Sequence, residues 1–309
     1  MNREKNRLYL FAAIMATMCL AFACGGGGSD GGGSDDNRIK VTAKGVDFYL
    51  IEVPAGEYKP GSGSNIPVDA FLMAQTEVTQ ELWYAVMENK PSSFTSNPED
   101  SSSDGWKFLP VERVSWYDAI AFCNKLSLAT NRIPAYSVKI SGTTEVNWSG
   151  TFTIPSSDDT DWNGATIVPN ADGYRLPKEE EWMWAAMGAD KANIGQPNVT
   201  GYDKAFSGAT GAYDTRINDY AWYGNNAAGT TANGKTHQVA HSSKLPNELD
   251  LYDMSGNVWE WCWDVYSGSS RVIRGGSWVD AASFCTVAYR DLSNPSSRNV
   301  DLGFRVVCP

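Results

Sequence analysis

Apolar residues change their spacing several times along the chain, and each change marks an element. Val46–Val53, VDFYLIEV, is rich in β-branched and aromatic residues and closes on Pro54-Ala55-Gly56, which predicts a strand and a turn. Phe71-Leu72-Met73 leads to Thr79, a suitable helix cap, and Leu82, Trp83, Val86 and Met87 then recur at three- and four-residue spacing up to Pro91. This predicts an amphipathic core helix that the proline stops. Residues 92–105, SSFTSNPEDSSSDG, are turn formers and predict a surface loop.

Ser115 followed by Asp118 has the form of a capping box, and Trp116, Ile120 and Cys123 line one face of a second helix ending near Ser127. Across residues 135–173, Tyr136, Val138 and Ile140 alternate with polar residues, and Gly142, Gly150 and Asn163-Gly164 mark turns, so this stretch is expected to be an inserted hairpin region. Pro177 opens a third helix whose first turn carries Glu179, Glu180 and Glu181, where the helix dipole favours negative charge. Trp182, Ala185 and Ala186 face its core side, and Gly188 ends it. Residues 190–246 read mostly as loop. Within them His237 and His241 have the spacing of a helical metal pair, but Thr236, Val239 and Ser242-Ser243 are poor helix formers, so two solvated loop histidines are expected.

The last stretch, residues 271–309, follows neither period. Arg274-Gly275-Gly276-Ser277-Trp278, then Arg290, then Leu302-Gly303-Phe304-Arg305 frame small and polar residues without a pattern, which reads as a displayed surface.

Composition narrows the class. At 309 residues and 42% hydrophobic, the chain can bury a sizeable core in one large or two ordinary domains. A net charge of −11 disfavours nucleic acid and anionic lipid as electrostatic partners. Twelve Trp, 29 Gly and 14 Pro point to many turns and aromatic anchors, so an irregular, loop-rich α+β domain is expected.

The first residues form a targeting pattern: Arg3, Lys5 and Arg7, an apolar run over 8–23 too short for a comfortable span, and Ala21-Phe22-Ala23 before Cys24. The pattern resembles a bacterial lipoprotein signal peptide, 1–23, with lipid on Cys24; a plain membrane anchor is the other reading. Residues 24–44, centred on GGGGSDGGGSDD, are expected to be a flexible tether, and 45–309 the folded domain. An exported domain permits disulfides among Cys123, Cys262, Cys285 and Cys308, and spacing alone allows three pairings.

Four segments carry a resemblance: Glu77-Val78-Thr79; YRLPKEEEW at 174–182; PNELDLYDMSGNVWEW at 246–261; and RGGSW with LGFR. In this order they resemble the formylglycine-generating (sulfatase-modifying factor) family over roughly residues 45–309. The resemblance implies an irregular, loop-rich C-type-lectin-like domain. It also implies calcium at Asp253, Glu260 and the carbonyls of Gly256 and Val258, hard oxygens suited to that ion. The residues alone allow another reading, a self-bonded Gly-Asn turn with Glu260 paired to an arginine. By the same resemblance Cys123 pairs with Cys308, leaving Cys262 and Cys285 as a second bridge.

Enzymes of this family oxidise a substrate cysteine with two cysteines near RGGS that bind copper(I) as soft thiolates. Here the first position is Asp280, and Cys285 falls at the second only when counted from Arg274. A lone thiolate beside a carboxylate is a poor copper site, so formylglycine-generating activity is not expected. The alternative keeps Cys285 as the nucleophile of an oxidase acting on a protein cysteine in sulfatase maturation.

Between the framing residues of the last segment lie Val279, Asp280, Ala281, Phe284, Thr286, Ala288, Tyr289, Asp291, Leu292, Ser293, Asn294, Ser296, Ser297, Asn299, Val300 and Asp301. None is Lys, Glu, Gln, Met or Trp, and each is reachable from an Asn codon by changing adenines alone. This is similar to the variable region of diversity-generating retroelement target proteins, which display changeable binding residues on a lectin-type fold. The expectation is therefore a non-catalytic binding protein for a protein or cell-surface ligand. It would be lipid-anchored to the outer membrane through Cys24 and exposed at the surface.

Overall fold

The computed structural model describes residues 38–60, 63–97, 99–189, 203–227 and 234–309. The signal peptide, Cys24 and the tether up to 37 lie outside the described residues. In chain order the elements are β1 (Arg38–Ala43), β2 (Val46–Val53), β3 (Gly56–Tyr58), β4 (Ile66–Val68), β5 (Phe71–Ala74), α1 (Gln80–Met87) and α2 (Trp116–Ala129). The inserted region follows, with β6 (Tyr136–Ser137), β7 (Lys139–Ile140), β8 (Thr144–Glu145), α3 (Thr160–Asn163) and β9 (Thr166–Ile167). The last part holds α4 (Glu179–Ala186), β10 (Trp259–Ser267), β11 (Ser270–Arg274), β12 (Arg290–Ser293), β13 (Leu302–Gly303) and β14 (Val307–Cys308).

The expected tether boundary at 44 is corrected. RIKVTA alternates Ile39, Val41 and Ala43 with polar residues, and it pairs antiparallel with β2 from Arg38↔Ile51 to Ala43↔Val46. Backbone pairing and the burial of Ala43 make it the edge strand of the domain.

Two caps behave as the spacing requires. Thr79 Oγ1 accepts from the Leu82 N–H at 3.2 Å to start α1. At α2 the Ser115 N–H donates to Asp118 Oδ2 at 2.8 Å while Ser115 Oγ accepts from the Asp118 N–H at 3.1 Å, which satisfies two otherwise orphaned donors. The end of α1 differs: Glu88 adopts φ +62 and its N–H returns to the Tyr84 carbonyl, so the helix stops before Pro91 is reached.

The strands assemble into sheets ordered β1-β2-β5-β14 and β12-β11-β10-β13, with small two-stranded pairs at β3-β4, β6-β9 and β7-β8. The C-terminal stretch ties the two larger sheets together. β13 lies parallel to β10 through Trp259↔Leu302, and β14 then closes on β5 through Val307↔Met73. Helix α2 is buried on most sides at Trp116, Ile120, Phe122, Cys123 and Leu126. Phe122 stacks on Trp83 at 5.3 Å, and Phe304 meets both rings edge-on, so the LGFR segment is anchored in the main core. A second core gathers Met73, Trp182, Met183, Cys262 and Val272 between the first sheet, α4 and the β10-β11 pair. Among the described residues no helix is long and apolar enough to cross a membrane.

Candidate functional site

Under the terminal segment lies a buried polar knot that joins all four of the sequence motifs. Arg305 has no solvent exposure. Its Nε donates to Glu260 Oε2 at 2.7 Å, and one terminal nitrogen donates to Glu260 Oε1 at 2.5 Å and to the Tyr252 carbonyl at 2.9 Å. The other reaches the Ala74 carbonyl at 3.2 Å, and Trp182 Nε1 donates to Glu260 Oε2 at 2.8 Å. Glu77 accepts from the Asn257 amide at 2.8 Å and from the Val258 N–H at 3.1 Å. The motifs around Glu77, Glu260 and Arg305 are therefore one unit. Three buried carboxylates face one guanidinium here, and burial, then their mutual repulsion, pushes Glu77 well above the usual carboxylate range. Burial does the same to Asp253.

This geometry does not fit the calcium set expected at Asp253, Gly256, Val258 and Glu260. Both Glu260 oxygens are committed to Arg305 and Trp182, and Asp253 Oδ2 accepts from the Ala240 N–H at 2.9 Å. Calcium takes six to eight oxygens; the guanidinium is instead the cation that Glu260 and the neighbouring carbonyls bind. The described residues hold no cluster of three or more His, Cys, Asp or Glu side chains able to take a metal ion.

The terminal segment is fastened onto the knot by its backbone. After β11, Gly275 (φ +97) and Gly276 (φ +72) turn the chain through the left-handed region, where a side chain is strained. A Cβ at Gly276 would lie 2.8 Å from Cys285 Sγ. The Gly256 N–H donates to the Gly275 carbonyl, and the Trp278 N–H to the Asn257 carbonyl, both at 2.9 Å. Arg274 then donates to the carbonyls of Ala288 at 3.0 Å and Tyr289 at 2.9 Å and pairs with Glu179. Arg290 meets the same Glu179 carboxylate at 2.7 Å. Arg298 pairs with Asp118 at 2.8 Å and reaches the Pro155 carbonyl. The N–H groups of Trp116 and Arg113 donate to the carbonyls of Pro295 and Asn299 at 3.0 Å.

The framing groups thus hold carbonyls, and most of the intervening side chains are left to solvent. Of the sixteen fill residues named from the sequence, all but Ser293 keep partial or full exposure; Val279 is 54% exposed, Leu292 40% and Val300 37%. The framing residues Cys285, Val287, Pro295 and 302–305 are buried, while Ser283 and Arg290 are exposed. Some fill side chains also brace the loop: Ser277 Oγ donates to Asp280 Oδ2 at 2.5 Å, Ser296 donates to Asn294 Oδ1, and the Phe284 and Tyr289 rings meet at 4.8 Å. A groove of about 530 Å3 runs between Trp278-Val279 and residues 298–301.

Cys285 does not sit in that groove. It is fully buried beside Phe206 and Tyr223, and burial pushes its thiol up to about 12. The expected disulfides are corrected as well. Cys123, Cys262, Cys285 and Cys308 are buried free thiols. Cys262 belongs to the second core and Cys285 to a separate cluster, while Cys123 and Cys308 share the main core without a bond.

The expectation of two solvated histidines also fails at His237, which is 5% exposed. Its ring stacks on Trp222 at 3.7 Å, Nδ1 contacts Glu99, and Nε2 lies 3.0 Å from the Ala227 carbonyl. Sequence reasoning also missed Glu179 and Asp118 as anchors of the framing arginines. Their capping positions were legible, but their partners lie 95 to 180 residues away. Glu112 was missed entirely. It is fully buried next to Arg113, Oε1 accepts from the Phe94 N–H at 2.9 Å, and Oε2 has no hydrogen-bond partner among the described residues.

Comparison with known proteins agrees with this architecture. Residues 40–309 match the sulfatase-modifying factor enzyme 1-like domain. The chain is 32% identical over 278 residues to Chaperone protein LppX of Paenibacillus barcinonensis, covering 84% of this chain and 88% of that protein. It is 34% identical over 154 residues to a formylglycine-generating enzyme of Streptomyces coelicolor, covering 43% of this chain and 46% of the enzyme. Among solved structures, Treponema denticola variable protein 1 superposes with a TM-score of 0.74 at 37% identity, over 88% of this chain and 98% of that one. With the match running from the first sheet to the C-terminal strand, the chain belongs to the sulfatase-modifying factor enzyme 1-like domain family.

Proposed function

We propose that this protein is a ligand-binding protein that uses the formylglycine-generating-type scaffold without its chemistry and presents residues 279–301 as its binding face. The observation that carries this reading is the division of labour in the terminal segment. Framing arginines and glycines fix the backbone through carbonyls, while fifteen of the sixteen fill residues keep exposed surface. The likeness to a protein titled a variable protein supports a face whose residues can change. Asp280 at the first thiol position and a fully buried Cys285 support a role without cysteine oxidation. The basic start, apolar run and Cys24 support export and lipid anchoring at the outer membrane.

The test is a paired substitution series. Changing Val279, Leu292 and Val300 together to Ser removes exposed apolar groups, and each surface change is worth about 0.5 kcal/mol or less, so Tm should move by no more than a few degrees. Arg274→Ala leaves two carbonyls without their donor and Glu179 with Arg290 alone, and a loss of about 3 kcal/mol is expected. Fill positions as costly as framing ones would refute a replaceable face. Aldehyde formation on a cysteine-containing sulfatase peptide incubated with the protein and copper(I) would overturn the non-catalytic reading.

A further inference from the structure

A larger cleft, of about 790 Å3, is built from none of residues 279–301. It lies between the C-terminal ends of α1 and α2, the turn that joins β1 to β2, and the part of the inserted region over 148–154. Its floor is apolar. Val86 and Trp148 are buried, Met87, Phe152 and Ile154 are half-buried, and Leu128 is 39% exposed. The Trp148 and Phe152 rings meet edge-on at 5.2 Å. Three separate stretches thus bring apolar surface to one concavity and leave part of it open to solvent. Its volume lies in the range of small-molecule sites, which join such a lining to a few placed polar groups.

The polar groups of this cleft are mostly donors. Lys125, half-buried on α2, holds its ammonium 5.7 Å from the centre of the Phe152 ring, and neither it nor Lys44 has an ion pair among the described residues. Asn89 accepts the Trp83 indole N–H through its oxygen at 2.7 Å. An indole only donates, so the orientation of this amide is fixed and its NH2 group is left over as a donor. The C-terminal carbonyls of α2 do not offset these groups, because those of Leu126, Ser127 and Leu128 accept from the N–H groups of Thr130, Arg132 and Asn131. Glu88 is the one acid in the lining, against two lysines. We propose that this cleft is a second binding site, for a small carboxylic acid with an aromatic or branched apolar body. The body lies on Leu128, Phe152 and Ile154; the carboxylate accepts from Lys125 and the Asn89 amide, and Lys44 adds charge at the rim. The net charge of −11 disfavours anions at a distance, so selection for the acid comes from these local donors. The site does not rest on the reading of residues 279–301 as a binding face.

The test titrates the 15N-labelled protein with three molecules of one shape, 2-naphthylacetate, 2-naphthylacetamide and 2-(2-naphthyl)ethylamine, and follows the backbone amide resonances of Leu128 and Gly150. The acid should shift both saturably and leave the amides of Ser296 and Asn299 unmoved. The neutral amide should bind at least about fivefold more weakly, and the amine should give no saturable shift. Lys125→Gln should weaken the acid about tenfold, as expected for loss of one charge-assisted hydrogen bond. Lys44→Gln should weaken it about threefold, and Glu88→Gln, which removes the opposing acid, should tighten it by about as much. These last two changes, both at exposed turn positions, carry the decision should Lys125→Gln lower Tm by several degrees. Equal binding of the amide or the amine overturns the proposal. So does indifference to Lys125→Gln at parental Tm, a shift confined to Ser296 and Asn299, or no binding of the acid at millimolar concentration.

Discussion

Replacing Glu112 by Gln tests the electrostatics around a buried acid next to Arg113 with one nearly isosteric change. Glu112 is fully buried, one of its oxygens is unpartnered, and burial raises its carboxyl from 4.5 to about 7. In the unfolded chain the carboxyl ionises near pH 4.5, whereas in the native state it keeps its proton to about 7. Between these values the native state binds more protons than the unfolded one, so stability falls as pH rises through this window and levels off above it. At 1.36 kcal/mol per pH unit, the cost at pH 8 is about 3 kcal/mol. Gln keeps the acceptor for the Phe94 N–H and never ionises. Glu112→Gln should therefore match the parent within about 0.5 kcal/mol at pH 4.5 and exceed it by about 3 kcal/mol at pH 8, which corresponds to a Tm rise of roughly 6–10 °C. Thermal and urea unfolding at half-unit steps from pH 4.5 to 8.5 reads both the gap and its slope. A gap that does not change with pH, or a variant less stable at pH 8, would refute the reasoning.

Three further outcomes follow from the geometry. Gly276→Ala places a methyl group against Cys285 Sγ at φ +72, so a loss of about 2–4 kcal/mol in urea unfolding is expected; a neutral result would mean the turn relaxes freely. Iodoacetamide at pH 8 should leave Cys123, Cys262, Cys285 and Cys308 unmodified in the native protein and alkylate all four in urea without reductant, as peptide mass spectrometry will show; a disulfide-linked peptide would contradict the free thiols. Exchanging EDTA for millimolar calcium should leave Tm unchanged within a degree, because Glu260 is committed to Arg305; a rise of several degrees would restore the four-residue calcium set.

Local chemistry was legible in the sequence wherever a few neighbouring residues decide it. Thr79 and Ser115-Asp118 cap their helices as spacing requires, and the RGGSW and LGFR clusters flank a segment whose intervening residues mostly keep exposure. What escaped were decisions made between distant residues or by the backbone alone. Glu88 ends α1 through a left-handed turn that a glutamate does not advertise. RIKVTA alternates as a strand should, yet as an edge strand directly after a Gly/Ser/Asp stretch it carries too little apolar weight to stand out. A calcium ligand set and an ion pair make the same use of Glu260 in sequence, and only the fold brings in Arg305 from 45 residues away to engage it. His237 is buried because Trp222 and Glu99 meet it, and Glu99 lies 138 residues earlier in a loop that reads as solvated.

The packing of Cys285 works against thiolate chemistry at this position. A thiol nucleophile acts as the thiolate, and with its ionisation pushed to about 12 only about one Cys285 in 10^5 is ionised at pH 7. Lowering that barrier would require water or a cation at the sulfur, but the side chain is buried in an apolar cluster with Phe206, Ala221 and Tyr223 and lies against the turn at Gly276. Opening the cluster would free Gly276 and Ser255, whose hydroxyl donates to the Cys285 carbonyl at 2.8 Å, and these contacts help seat the terminal segment. The neighbouring Asp280 adds a negative charge that opposes ionisation further. At this position packing and thiolate chemistry make opposite demands on burial, and the structure meets the demand that keeps residues 279–301 in place.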